Sequence, residues 1–278
     1  MIYLILAIAS SAMVSIFMRL SEGKVKGNVS MLAMNYLACL TMAGCYMGFG
    51  NIAPAESGLG LTVGMGAFNG VLYLLGFVLL KLNIRKNGVV MSATFMKLGL
   101  LVPMVVSIGL FGEMPSALQL LGFVIAVAAI VLINFEKEET TMEFKAGLIL
   151  LLLAGGGGDA MSKVFEGFGN RALSEQFLFY TFVTAFLLCV GLTIYQKERP
   201  GIREVGYGLL VGIPNYFSAR FLLKAVESLA AVIVYPTVSV ATMVVITMAG
   251  VCFFKERLGK RQWTAIGMIL VALALLNV

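Results

Sequence analysis

Lys97 sits in "TFMKLGLLVP", residues 94 to 103, among Phe95, Met96, Leu98, Leu100 and Leu101. A charged ammonium in such a run has to face protein or water, because hydrocarbon leaves it unsolvated. Thr94 is three residues earlier and shares its helical face. Two chemistries are open to Lys97. It can bind the anionic or carboxylate group of a solute, or it can neutralise another buried charge. The partner for that second role is Asp159, which follows the glycines Gly155, Gly156, Gly157 and Gly158. Its carboxylate can bind a substrate amine, carry a proton or pair with Lys97; if a helix ends there, it is simply solvated. The glycines permit either close helix contact or local unwinding.

A second pattern is longer. Asn69, Tyr73, Phe77 and Lys81 are spaced by four and share a slowly drifting helix face. Gly212, Tyr216, Arg220 and Lys224 repeat that spacing 143 residues later. One reading makes these stripes two walls of a cavity; the other packs the tyrosines against neighbouring helices and lets the lysines snorkel. Asn215 follows Pro214, and Tyr235 precedes Pro236. Each proline removes a backbone donor, and the freed carbonyl is tolerated at membrane depth where it lines a cavity. The expected substrate-binding set is Lys97, Thr94, Asn69, Tyr73, Asp159, Asn215, Tyr216, Arg220 and Tyr235. The chain has no histidine, which excludes imidazole metal sites and histidine acid–base chemistry. No catalytic set, metal or cofactor is expected.

The elements that carry these residues are apolar. Of 278 residues, 60% are hydrophobic and only 12% charged, against about 25% charge in a soluble domain. Runs near 20 residues recur, each long enough to cross a hydrocarbon core of about 30 Å. They predict an all-α membrane protein with ten transmembrane helices, at 2–20, 29–49, 59–80, 88–111, 117–135, 145–165, 176–196, 205–224, 229–254 and 262–278. The first starts at Ile2 with no basic region before it and reads as a retained helix, not a signal peptide. The four cysteines lie in apolar stretches without C-x-x-C spacing and read as small hydrophobes.

Charge gives an orientation. Alternate connections and their flanks, beginning with the first, hold fifteen Lys and Arg. The opposite side holds four: Lys163, Arg171, Arg220 and Lys224. The basic-rich side is expected in the cytoplasm, which puts both termini outside. The net charge of +6 is thus addressed to the lipid bilayer; no nucleic acid is expected.

The halves repeat. "LFGEMPSALQ" and "FFKERLGKRQ" place Glu113 and Glu256 143 residues apart. At the same offset Thr94 meets Thr237, Tyr73 meets Tyr216, and Gln119 meets Gln262. A five-helix unit is odd, so a second copy enters the membrane from the other side; this predicts two inverted-topology repeats. The expected organisation is a first repeat over 1–135, a charged linker over 136–144 and a second repeat over 145–278. Glu113 and Glu256 lie at helix ends and read as residues of the fold. Gly60, Gly64, Gly66 and Gly70 fit small-xxx-small helix packing.

At these residues the chain resembles the drug/metabolite transporter superfamily, in its EamA-type members with two five-helix halves. The resemblance rests on Phe111, Glu113, Gln119 and Gly122, and again on Phe254, Glu256, Gln262 and Ala265. It implies a secondary transporter, not an enzyme, working by alternating access around a central cavity. The small-molecule substrate it implies is an organic metabolite, best guessed as an amino acid or other carboxylate-bearing solute. The expected location is the cell membrane, the inner membrane of a bacterium. A coupling proton or ion and a homodimer both stay open. The alternative is an intramembrane enzyme or a flippase for lipid-linked substrates; the enzyme would need a clustered catalytic set, against which the chain offers no histidine and one mid-helix carboxylate.

Overall fold

The structure, a computed structural model, describes residues 1–134, 144–255 and 259–277. The expected linker 136–144 therefore falls almost wholly outside the described residues, as does Glu256. Among the described residues there are ten α-helices: α1 (Ile2–Ser21), α2 (Asn28–Met47), α3 (Leu59–Gly88), α4 (Met91–Phe111), α5 (Ala117–Asn134), α6 (Lys145–Phe168), α7 (Ser174–Tyr195), α8 (Ile202–Ser228), α9 (Ala231–Phe254) and α10 (Lys260–Leu276). Among the described residues there is no strand.

Seven of these helices are long and apolar enough to cross a membrane: α1 to α4, α6, α7 and α9. In α8 the glycines, Pro214, Asn215 and Arg220 dilute the apolar character of a helix 27 residues long. The apolar part of α5 and the whole of α10 are 17 residues or fewer. The protein is a multi-pass membrane protein.

The passage from α3 into α4 differs from the sequence reading. The segment "KLNIRKN" continues α3 instead of forming a loop, since its lysine, leucine and arginine are good helix formers. The helix stops at Gly88, whose φ of 78° suits glycine. The following helix is not uniform either: a 3-10 turn at Leu98–Leu100 interrupts α4 directly after Lys97.

The chain forms two compact units. The first takes Met1–Leu74 and Val164–Glu227, the second Leu75–Lys163 and Ser228–Val278. Each draws on both sequence halves. In the first unit α2 packs along α7. Gly66 and Gly70 bring α3 onto α7, where a β-carbon at Gly66 would stand 2.8 Å from the Phe177 carbonyl oxygen. Gly208 and Gly212 do the same for α8 on α2: a β-carbon at Gly212 would overlap the carbonyl oxygen of Asn35. Gly60 and Gly64 have open space and do not carry the packing. Phe165 and Phe177 stack at 4.4 Å in this core.

In the second unit α5 packs along α10, and α4 against α9. Its core joins Met104, Phe123, Ile130, Val240, Met243, Ile269 and Leu276. Gly122 is where α5 meets α10; a β-carbon there would lie 2.9 Å from that of Leu275 and 3.0 Å from the Ala272 carbonyl oxygen. Lipid tails are as apolar as leucine, so such close fits, more than escape from water, hold membrane helices together.

Glu113, Gln119 and Gln262 of the repeated motif serve the fold. Gln119 Oε1 accepts the Ser116 backbone N–H at 2.9 Å while Ser116 Oγ accepts the Gln119 N–H at 3.2 Å. This reciprocal cap starts α5. Gln262 reaches back in the same way to the Gly259 N–H at 2.9 Å, at the start of α10. Glu113 pairs with Lys163 at 2.8 Å and accepts the Val232 N–H at 3.2 Å, so it caps the first turn of α9.

Candidate functional site

The nine expected binding residues fall into two groups. Lys97, Thr94, Asp159 and Tyr235 lie in the second unit; Asn69, Tyr73, Asn215, Tyr216 and Arg220 lie in the first.

In the second unit, α6 stays helical through Gly155–Gly158 and runs on to Phe168. Asp159 is therefore nine residues inside the helix, not at its end. The glycines provide contact, not unwinding. A β-carbon on Gly156 would overlap the carbonyl oxygen of Gly99 and crowd Val102 at 2.8 Å. This seam of α4 against α6 lies two residues after Lys97 and three before Asp159. Lys97 is half-buried, Asp159 keeps accessible surface, and each is the other's charged neighbour. Among the described residues no ion pair within 4.0 Å joins them. The Tyr235 hydroxyl donates to the backbone carbonyl of Asp159 at 2.9 Å and ties α9 to α6 at this level. Pro236 does not break α9. Thr94 is buried one turn before Lys97.

In the first unit, Tyr216 is fully buried and its hydroxyl donates to Glu175 Oε2 at 2.8 Å. Arg220 donates to the other oxygen of the same carboxylate at 2.7 Å and lies 4.3 Å above the Tyr46 ring. The Arg220 charge is thus already answered. Glu175 and Tyr46 escaped the sequence reading. An acidic residue in the first turn of α7 was the available signal, since helix N-termini favour negative charge. Tyr73 is half-buried against Tyr36 at 6.3 Å and Phe182 at 6.2 Å. Asn69 is buried, its amide within 3.5 Å of Thr181 Oγ1, and its Oδ1 has no partner among the described residues. Asn215 donates to Asn35 Oδ1 at 3.2 Å. Beside it, the Cys39 thiol donates to the Gly212 carbonyl at 3.2 Å, and α8 continues through Pro214.

The four basic residues of the charge-poor side all have acidic partners. Lys163 pairs with Glu113, Arg171 with Glu166, Arg220 with Glu175 and Lys224 with Glu227. Their presence on that side has a local cause.

Comparison with known proteins bears on this geometry. The family model of the EamA-like transporters matches residues 145–278. An uncharacterized protein of Haemophilus influenzae is 23% identical over 277 residues, spanning 95% of this chain and 93% of its own. A solved crystal structure aligns over 99% of this chain and 94% of its own, with a TM-score of 0.77 at 14% identity, and so shares the fold.

Proposed function

From the match of residues 145–278 to the EamA-like transporter family model, we propose that the protein is a secondary transporter of a small, carboxylate-bearing organic solute, with Lys97 as the group that receives the cargo's negative charge. The match implies a membrane transporter of small solutes. The observation that carries the finer reading is Lys97 itself: an ammonium inside an apolar helix, half-buried, with Asp159 as its charged neighbour but no ion pair to it. A charge at that depth costs roughly 2.5–3.5 kcal/mol on insertion scales and is kept where it has work to do.

Alternating access between two inverted halves is part of this reading. Its support is the set of helix pairs. α2 with α7, α4 with α9 and α5 with α10 are each five helices apart. The glycine seams of α3 on α7 and α8 on α2 exchange under the same step. A twofold relation between the halves produces such a set. Tyr73, Asn69, Asn215, Tyr216, Arg220, Tyr235 and Thr94 remain members of the proposed solute path. We assign the protein to the cell membrane, with both termini outside. A coupling proton or ion and a homodimer are compatible with this reading.

The test is a thermal-shift screen of small organic carboxylates on purified protein in detergent, where a ligand stabilises the folded state by mass action. A hit that stabilises the wild type and not Lys97→Met supports the reading. Transport near the parent level in the double variant Lys97→Met, Asp159→Asn would instead make Lys97 a structural partner, since replacing a whole buried pair is often neutral.

A further inference from the structure

We propose that the rim of the first unit where the α1–α2 and α7–α8 connections meet binds the headgroup of an anionic phospholipid. The cations that receive its phosphate are Lys24, Lys26, Lys197, Arg199 and Arg203.

The two connections come from opposite halves of the chain and are latched by carboxylates. Glu204 Oε1 accepts the backbone N–H groups of Lys26 at 2.7 Å and Gly27 at 3.4 Å. Glu198 Oε2 accepts the Ser30 N–H at 2.9 Å, in the first turn of α2. The fit is close, since a β-carbon on Gly27 would lie 2.7 Å from that same oxygen. Arg203 Nη1 donates to the Lys24 carbonyl oxygen at 3.5 Å. Five cations are thereby gathered around one latch.

The latch also sets their charge balance. Glu198 stands between Lys197 and Arg199 in the chain, and Glu204 follows Arg203. Either acid could neutralise its neighbours, yet both are engaged by backbone N–H groups. Among the described residues none of the five cations has an ion pair within 4.0 Å. All five are exposed, and Glu22 is the one exposed carboxylate on these connections. On the charge-poor side, by contrast, each of the four basic residues has an acidic partner. Ammonium and guanidinium groups without a counter-charge take phosphate oxygens through charge-assisted hydrogen bonds.

The backbone at Lys197 is a second, independent observation. The Glu198 N–H donates to the Thr193 carbonyl at 3.1 Å and the Lys197 N–H to that of Ile194 at 3.0 Å, so α7 ends in a Schellman turn. Lys197 takes the left-handed position of this turn, with φ 55°, where glycine is favoured. Lysine serves the turn less well than glycine; what it adds is a charge at the rim.

Depth selects a lipid over a free anion. Ile194 and Tyr195, 71% and 83% exposed, come within three residues before Lys197, and Ile202, 90% exposed, adjoins Arg203. Tyrosine at the end of a spanning helix marks the level of the headgroups. Acyl chains lie along these apolar side chains while the phosphate meets the cations. A zwitterionic headgroup brings its own cation, which the five repel, so a net negative headgroup is preferred.

The experiment uses the full chain purified in a neutral detergent. Phosphatidylglycerol, phosphatidylcholine of the same acyl chains, and inorganic phosphate are added separately. Native mass spectrometry measures bound lipid, and thermal unfolding measures stabilisation. Phosphatidylglycerol should bind about tenfold tighter than phosphatidylcholine and raise the midpoint, whereas phosphate should not raise it. The triple variant Lys197→Gln, Arg199→Gln, Arg203→Gln should lose this preference. The variant Arg85→Gln, Lys86→Gln, which removes two exposed cations of α3 in the second unit, should keep it. Lys197→Gly guards against a triple variant that fails to fold: its midpoint in detergent alone should hold or rise while its lipid preference falls. Equal binding of the two lipids, equal loss in the triple and double variants, phosphate acting as well as phosphatidylglycerol, or an undiminished preference in Lys197→Gly would overturn the site.

Discussion

Glu175 and Arg220 join α7 to α8, with Arg220 Nε donating to Glu175 Oε1 at 2.7 Å while the Tyr216 hydroxyl takes Oε2. One carboxylate thus holds two of the residues that spacing alone offered as cavity wall. Glu175→Gln strands the guanidinium in a half-buried place. It should cost about 1.5–3 kcal/mol, the range for a hydrogen bond to a charged group. The combined change Glu175→Gln with Arg220→Met should recover most of that loss, because it removes the stranded charge. Thermal unfolding of the two variants checks this; equal midpoints for wild type and Glu175→Gln would count against the pairing as a stabilising contact.

A matched pair of glycine substitutions tests the seam beside Lys97. A β-carbon at Gly156 meets the Gly99 carbonyl, whereas one at Gly155 meets open space. Gly156→Ala should force α4 from α6 and lose about 1–3 kcal/mol, as overpacking does. Gly155→Ala should be neutral or gain up to about 1 kcal/mol of helix propensity. Melting temperatures and solute binding of both proteins give the readout, and similar behaviour of the two would contradict the close approach.

Stability should depend on pH through Glu204. Its carboxylate accepts the backbone N–H groups of Lys26 at 2.7 Å, Gly27 at 3.4 Å and Gly201 at 3.0 Å, in the loop region before α2 and at the start of α8. These bonds, that of Lys26 first, hold its acid below the ordinary value of 4.5. The folded state thus keeps the carboxylate ionised to lower pH than the unfolded state does. The stabilisation is complete above about pH 4.5 and fades as pH falls through the lower folded value. Glu204→Gln should flatten the acid limb of the stability–pH curve; an unchanged limb would remove Glu204 from its cause.

Orientation is tested by a reporter active only in the cytoplasm, fused after the last residue. With fifteen basic residues on the other side, it should stay silent. Full signal would reverse the topology. The four exceptions do not weaken the expectation, since each is engaged by an acidic residue.

Much of this was legible before any coordinates. Long apolar runs marked all ten helices, and the misfit of Lys97 and Asp159 in theirs singled out the pair. Periodicity also put Tyr216 and Arg220 on one face. It could not name Glu175, because a partner 45 residues away is chosen by helix packing and not by spacing. The 3-10 turn after Lys97 was missed, although Pro103, four residues past Gly99, removes the backbone donor that the Gly99 carbonyl would meet in a regular helix. The Gln of the repeated motif was visible, but its work as a cap emerged only with the backbone N–H it reaches.

The pairing of helices five apart also sets a timetable for synthesis. When α2 enters the bilayer, the helix it will lie along, α7, is more than a hundred residues from being made. α5 waits likewise for α10, which begins more than a hundred residues after α5 ends. Neither compact unit can close around a nascent chain cut at its midpoint, because each draws on both sequence halves. The glycine faces of the early helices stay uncovered until the second half arrives, and a stall there leaves the membrane's quality-control proteases an unassembled substrate.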